Sequence, residues 1–156
     1  MNEKSERYDS VIREILAVVD GENSLIARMA TINCLLPQAF ETYFWTGFYL
    51  VDPDRPQELV VGPYQGTLGC LRIPFGKGVC GAVAATGETQ LVEDVHAFPG
   101  HIACDSRTNS EIVVPVFDAS GKLIAVFDVD STQSSAFDEV DRQKLEHLIS
   151  EVFGKA

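Results

Sequence analysis

Two short apolar runs near the C-terminus, Glu111–Phe117 (EIVVPVF) and Leu123–Asp130 (LIAVFDVD), constrain this chain more than any other feature. Both are rich in β-branched and aromatic residues, and the turn residues Asp118, Ala119, Ser120 and Gly121 join them, which is the pattern of a β-hairpin. Alternation puts Ile112, Val114 and Val116 on the face opposite Glu111, and sets Asp128 and Asp130 together on a face away from Phe127 and Val129. Two aspartates among apolar neighbours disrupt a half-buried strand unless they have chemical work to do. Pro115 marks an unpaired position inside its strand.

A second hairpin is expected upstream. Phe44–Val51 (FWTGFYLV) reads as a strand that ends at the breaker sequence DPDRPQ, with Glu58–Val61 as its return and Cys70–Ile73 as a short third strand. The period of two places Trp45, Gly47 and Tyr49 on one face and Phe44, Thr46, Phe48 and Leu50 on the other. Gly78–Thr86 (GVCGAVAAT), closed by Gly87, suits a short, tightly packed helix, and Thr89–Val92 a brief strand. Glu93–Asn109 shows neither hydrophobic period and reads as a long, mobile loop.

Helical periodicity appears at both ends. From Asp9, the residues Val11, Ile12, Ile15, Leu16, Val18 and Val19 form an apolar stripe that Gly21 ends. A second helix is predicted to start near Asn23, burying Leu25, Ile26, Met29, Ala30, Ile32 and Leu36, with Pro37 forbidding its extension. Cys34 shares the face of Ile26 and Ala30 and reads as a small core residue. The last helix follows Phe137, with Asp138 as cap, Asp141 completing the box, Val140, Leu145, Leu148, Ile149 and Val152 buried, and Gly154 at its end. The order helix–helix–strands–helix predicts an α+β fold: an antiparallel sheet with the terminal helices on one face, and loops over a pocket on the other. At 156 residues, the chain (1–156) is expected to form one domain.

Twelve basic against 23 acidic side chains give a formal charge of −11, which disfavours nucleic acid and anionic membrane surfaces as partners. No apolar run is long enough to cross a bilayer, and the polar N-terminus MNEKSERYDS lacks a signal-peptide core, so the expected location is the cytoplasm. Four cysteines in that reducing compartment argue for catalysis, metal binding or packing, and against a structural disulfide framework. Cys70, Cys80 and Cys104 stand among glycines and loop residues, where solvent or substrate can reach a thiol. Cys80 falls in the first turn of its predicted helix, where the dipole would favour its thiolate.

Glu111, Asp128 and Asp130, with Trp45 and Tyr49, are the residues expected to face the pocket; the plainer alternatives are that the two rings pack under a helix and that the acids are solvated strand-end residues. Clustered carboxylates in a partly dry site call for a cation. Soft thiols beside hard oxygens make a poor metal set, and His101 with Cys104 has zinc-like spacing without a second ligand pair. No metal is therefore expected, and a ligand ammonium fits better.

The motifs WTGFYL (Trp45–Leu50), GPYQG (Gly62–Gly66), CLRIPFGKGVCG (Cys70–Gly81), HIACDS (His101–Ser106), SEIVVP (Ser110–Pro115) and DVDS (Asp128–Ser131) together closely resemble the free methionine-(R)-sulfoxide reductases, enzymes built on a GAF domain. The resemblance runs from about Asp9 to the C-terminal helix. It implies reduction of free methionine-(R)-sulfoxide, with Cys104 as nucleophile passing through a sulfenic acid and Cys70 resolving it as a disulfide. Cys80 would be an auxiliary or alternative resolver. Thioredoxin would recycle the disulfide, drawing on NADPH upstream, with no bound cofactor; a homodimer is compatible with the architecture. Trp45 and Tyr49 would wall the substrate's methyl group, carboxylates would hold its ammonium, and Glu111 or one of the aspartates would protonate the departing oxygen. The competing readings are a non-catalytic GAF sensor of a small molecule and a thiol switch without a substrate.

Overall fold

The computed structural model describes residues 2–102 and 104–154. Helix α1 spans Glu3–Val19 and α2 spans Leu25–Ala39. Strands β1 (Trp45–Asp52), β2 (Arg55–Gln65) and β3 (Arg72–Pro74) follow, then α3 (Gly78–Thr86) and β4 (Gln90–Val92). A 3₁₀ turn at Val95–Ala97 interrupts the loop before β5 (Ser110–Phe117), β6 (Leu123–Ser131) and α4 (Glu139–Phe153).

The strands form one antiparallel sheet in the order β3-β2-β1-β6-β5-β4. The first hairpin thus pairs with the second through β1 and β6, which become the central strands. Tyr8, Ile15, Met29, Leu36, Leu145 and Leu148, from α1, α2 and α4, pack with Phe48, Ile112, Val114 and Phe127 on one sheet face. Trp45, Tyr49, Val113 and Val126 point to the other face, toward Val79, Cys80 and Val83 of α3. Period-two alternation therefore separates packing from pocket, as the expected α+β arrangement requires. Pro115 lies beyond β4, which pairs only with Glu111–Val113, so the outer edge of β5 is open there.

Local chemistry moves several boundaries. α1 begins at Glu3 rather than near Asp9, because the Asn2 side chain accepts from the backbone of Lys4 and Ser5 and acidic residues fill the first turn. α2 continues through Pro37 to Ala39: a proline in the last turn removes only one helix bond, and Phe40 N still reaches Leu36 O at 3.2 Å. Its buried residues are Met29, Ile32, Asn33 and Leu36, whereas Ile26 is 59% exposed and Ala30 also faces outward. Cys34 is accordingly half-buried and does not belong to the core. Apolar residues surround most of this helix, so its sequence leaves the buried face ambiguous; Asn33 Nδ2 donating to Pro63 O on β2 at 2.7 Å fixes it.

β2 starts at Arg55, inside the sequence read as a turn, and includes both Pro56 and Pro63. Pro63 falls at a bulge between the pairs Gly47↔Tyr64 and Tyr49↔Val61, where a missing N–H disturbs no regular ladder. β3 starts two residues later than expected, which leaves Cys70 in a loop. α3 matches its expected limits and ends at Gly87, whose φ of 72° is the left-handed conformation that glycine adopts without strain.

Candidate active site

The register of the central strands assembles the site. Asp130 on β6 stands opposite Trp45 on β1 and opposite Glu111 on β5, while Asp128 is flanked by Gly47 and Val113. Trp45 lies between Tyr64 and Tyr49, with ring centroids 5.1 and 5.6 Å away. Its indole needs two glycines: a Cβ at Gly69 would come within 2.8 Å of the ring, and one at Gly47 within 2.7 Å. The indole Nε1 donates to Thr67 O at 2.8 Å, which ties the pocket wall to the loop leading to Cys70.

That loop and the one before β5 meet in a disulfide between Cys70 and Cys104, with Cα atoms 5.6 Å apart. Cys104 lines a small cavity of about 40 Å³ together with Trp45, Tyr49, Lys77, Cys80, His101, Glu111, Asp128 and Asp130. Leu68 and Ile102 also contribute to its walls. The residues expected at the pocket are thus brought to one place; Cys70 reaches it through its bond to Cys104. Leu68, Ile102 and Tyr64 were not anticipated. Tyr64 belongs to the part of β2 that runs on past Pro63, beyond the expected strand, and Leu68 and Ile102 lie in loops that carry no period.

Electrostatics separate this cavity from an ordinary core. Burial raises the pKa of Glu111, Asp128 and Asp130 well above the usual carboxylate range, and their mutual repulsion adds to it. Asp128 is 4% exposed, and although its carboxyl touches Glu111, Asp130 and Cys80, no N–H or hydroxyl of the described residues donates to its Oδ1. His101 Nε2 lies 3.8 Å from Glu111 Oε1, but burial and the nearby His96 lower the imidazole's pKa while burial raises that of the carboxyl. This contact therefore joins two groups that both favour their neutral forms; among the described residues no lysine or arginine forms an ion pair with the carboxyl cluster, although Lys77 lines the same cavity.

Cys80 departs from expectation. Its place in the first turn of α3 is as predicted, but the residue is 5% exposed, and burial followed by the charges of Asp128, Glu111 and Asp130 pushes its thiol pKa up. Desolvation and three acidic neighbours outweigh one helix dipole, so the thiol, not the thiolate, is favoured. Cys80, Glu111 and Asp128 could each offer a ligand atom within 4.8 Å of the others. A thiol with two hard carboxylates remains a mismatched metal set, whereas any cation, ammonium included, would be attracted here. Among the described residues, no helix is long and apolar enough to cross a membrane.

A two-hairpin sheet with helices on one face and a loop-covered cavity on the other defines a class: residues 38–152 match the GAF domain family. The free methionine-R-sulfoxide reductase of Escherichia coli K12 is 42% identical over 96% of this chain and 88% of its own length. The X-ray structure of the Neisseria meningitidis free methionine-R-sulfoxide reductase in complex with its substrate has a TM-score of 0.91 and 46% identity, covering 97% of this chain and 89% of that one. A putative GAF sensor protein from Burkholderia vietnamiensis, also 46% identical, superposes with a TM-score of 0.92 over 99% and 96% of the two chains. Within the GAF domains, this chain belongs to the free methionine-R-sulfoxide reductase family.

Proposed function

We propose that this protein reduces free methionine-(R)-sulfoxide to methionine, with Cys104 as nucleophile and Cys70 as resolving thiol. The observation that carries this reading is the Cys70–Cys104 disulfide, whose Cys104 lines a cavity that also holds the buried Glu111 and Asp128, the half-buried Asp130 and an indole. In the reduced protein, Cys104 sulfur attacks the sulfoxide sulfur; the S–O bond breaks, the oxygen passes to the Cys104 sulfur, and the transient bond between the two sulfurs opens again. The Cys104 sulfur, oxidised by two electrons, leaves as a sulfenic acid, and the substrate sulfur, reduced by two, leaves as the thioether of methionine. A carboxyl kept protonated by burial, from Glu111, Asp128 or Asp130, donates to the oxygen as it departs. Cys70 then displaces water from Cys104, forming the disulfide.

Selectivity for the free amino acid follows from charge. The carboxyl cluster accepts an ammonium, and Asp128 Oδ1 offers it an unused acceptor. A methionine sulfoxide inside a peptide lacks that ammonium and would leave the cluster uncompensated. Trp45 and Tyr49 supply the apolar wall for the methyl group. The cavity in the disulfide form has room for a few waters, so opening the disulfide and withdrawing the loop around His101 and Ile102 admits substrate.

Thioredoxin, reduced at the expense of NADPH in the cytoplasm, recycles the disulfide in this scheme. A homodimer is compatible with this reading, which draws every named residue from one chain. A GAF sensor of the same fold would bind its ligand without consuming it. A coupled assay with thioredoxin, its reductase and NADPH, given the R and S epimers separately, decides between them. NADPH oxidation with the R epimer alone is expected; no oxidation with it would exclude the enzyme, and equal rates would exclude the stereochemical assignment.

A further inference from the structure

The two loops that meet in the disulfide also meet through a second, noncovalent connection. Thr67, three residues before Cys70, donates its hydroxyl to Asp105 Oδ2 at 2.7 Å, and Asp105 directly follows Cys104. Arg107 grips the same carboxylate from the other side: its Nε lies 3.1 Å from Oδ1, its Nη2 2.8 Å from Oδ2, and its backbone N 2.9 Å from Oδ1. The guanidinium also sits 5.0 Å from the centre of the Phe44 ring, at the root of β1. The hydrogen bonds from Arg107, then the one from Thr67, hold the Asp105 carboxyl well below the usual carboxylate range, so it stays ionised.

The far side of Asp105 is anchored as well. Asn109 N donates to Ser131 O at 2.8 Å, Asn109 Nδ2 donates to Thr132 O at 2.6 Å, and Val95 N donates to Asn109 O at 2.9 Å. These bonds fix residues 105–109 against β6 and the 3₁₀ turn. Cys104 therefore stands at the edge of a pinned segment, and the pin reaches across to the Cys70 loop without using either sulfur.

We propose that Asp105, held by Thr67 and Arg107, is a positioning residue that keeps Cys104 beside Cys70 when both are reduced and so speeds capture of the sulfenic acid. The step concerned is Cys104–SOH plus Cys70–SH giving the disulfide and water; it needs no external oxidant. Two thiols tied in this way react as if at high local concentration, whereas a loose loop lowers that concentration and leaves the sulfenic acid exposed to further oxidation. The proposal rests on the assigned roles of Cys70 and Cys104, and its first test needs no methionine sulfoxide.

Thr67→Val keeps the β-branch and the backbone carbonyl that Trp45 uses, and removes only the hydroxyl. In a Cys34→Ser background, equilibration with reduced and oxidised glutathione gives the effective concentration of Cys70 toward Cys104. Losing a hydrogen bond to a charged group should lower it about tenfold, and Thr67→Ser should restore it. Arg107→Ala, at a residue whose side chain is 62% exposed, gives a second variant with the same expected direction. After mixing with one equivalent of methionine-(R)-sulfoxide, dimedone should trap more sulfenic acid in Arg107→Ala while the rate of first methionine release stays within about twofold. An unchanged glutathione equilibrium in both variants overturns the proposal. So does a release rate that falls in step with disulfide formation, since that would mark general damage to the site.

Discussion

A single buried acid and a cluster of three lie on opposite faces of the same sheet, and they are treated differently. On the helix-covered face, Asp141 of α4 is 2% exposed and fully engaged: Tyr8 Oη donates to it at 2.5 Å, Lys4 Nζ at 2.8 Å and Asp138 N at 2.8 Å. Tyr43 extends the network through Tyr8, with 2.7 Å between the hydroxyls. Burial lowers the Lys4 pKa, but its bond to Asp141 and the charges of Asp141 and Asp138 outweigh that, so the ammonium is favoured. On the cavity face, Glu111, Asp128 and Asp130 face one another and two neutral-favouring neighbours, Cys80 and His101, and among the described residues none of the three forms an ion pair with a lysine or arginine. A buried charge with its counter-ion in place belongs to the architecture; a buried cluster without one is completed by something that comes and goes.

The largest expected effect tests whether chemistry belongs to the cavity face alone. Cys104→Ser should lower single-turnover methionine release by at least about 1,000-fold, while Cys70→Ser should still release about one methionine per chain before stalling. Equal losses in a rapid-quench measurement would break the division of roles.

A crossed pair of substitutions sharpens the contrast. Asp141→Asn should cost about 3 kcal/mol in urea unfolding, because it leaves Lys4 and Tyr8 poorly matched, with little change in kcat/KM. Asp128→Asn should do the reverse: stability of the substrate-free protein held or raised, and KM raised about 100-fold through loss of an ammonium partner. Were both variants to lose mainly stability, the two acid groups would be alike and the comparison would fail.

A smaller effect is expected with pH. The carboxyl pKa values of Glu111, Asp128 and Asp130 are raised in the folded state above their ordinary values of 4.5, 3.8 and 3.8, so the folded protein binds more protons than the unfolded chain once pH exceeds about 4. Their contribution is greatest below that point and is lost as pH rises through the folded values. The unfolding midpoint of the reduced, substrate-free protein should therefore fall on going from pH 5 to pH 8, and Asp128→Asn should flatten the slope. A wild-type slope that the substitution leaves unchanged would remove these acids as its source.

The smallest effect lies away from both faces. Cys34 is half-buried, with Gln38 Nε2 as a weak donor at 3.5 Å, so Cys34→Ser should change stability by less than about 0.5 kcal/mol and leave the assay rate unchanged.

Much of this contrast was legible before folding. Period-two patterning is a local property, so the faces of β1, β5 and β6, and the grouping of Trp45 and Tyr49 apart from Phe48, followed from the residues alone. The capping box of α4, with Asp138 and Asp141, is equally local, and its bonds form as expected. What Asp141 touches across the helix interface was not legible: Lys4 and Tyr8 lie more than 130 positions away in sequence, and no period links them. Cys80 shows the same limit, since its helix position was right and its environment was not.

Sequence alone therefore determined which residues could share a face, because strand alternation and helix caps depend only on near neighbours. Tertiary structure decided which of those faces met: β1 beside β6, Asp130 between Trp45 and Glu111, and Cys70 against Cys104. Those meetings are settled by long-range packing and by the cost of burying charge, and both depend on every element at once.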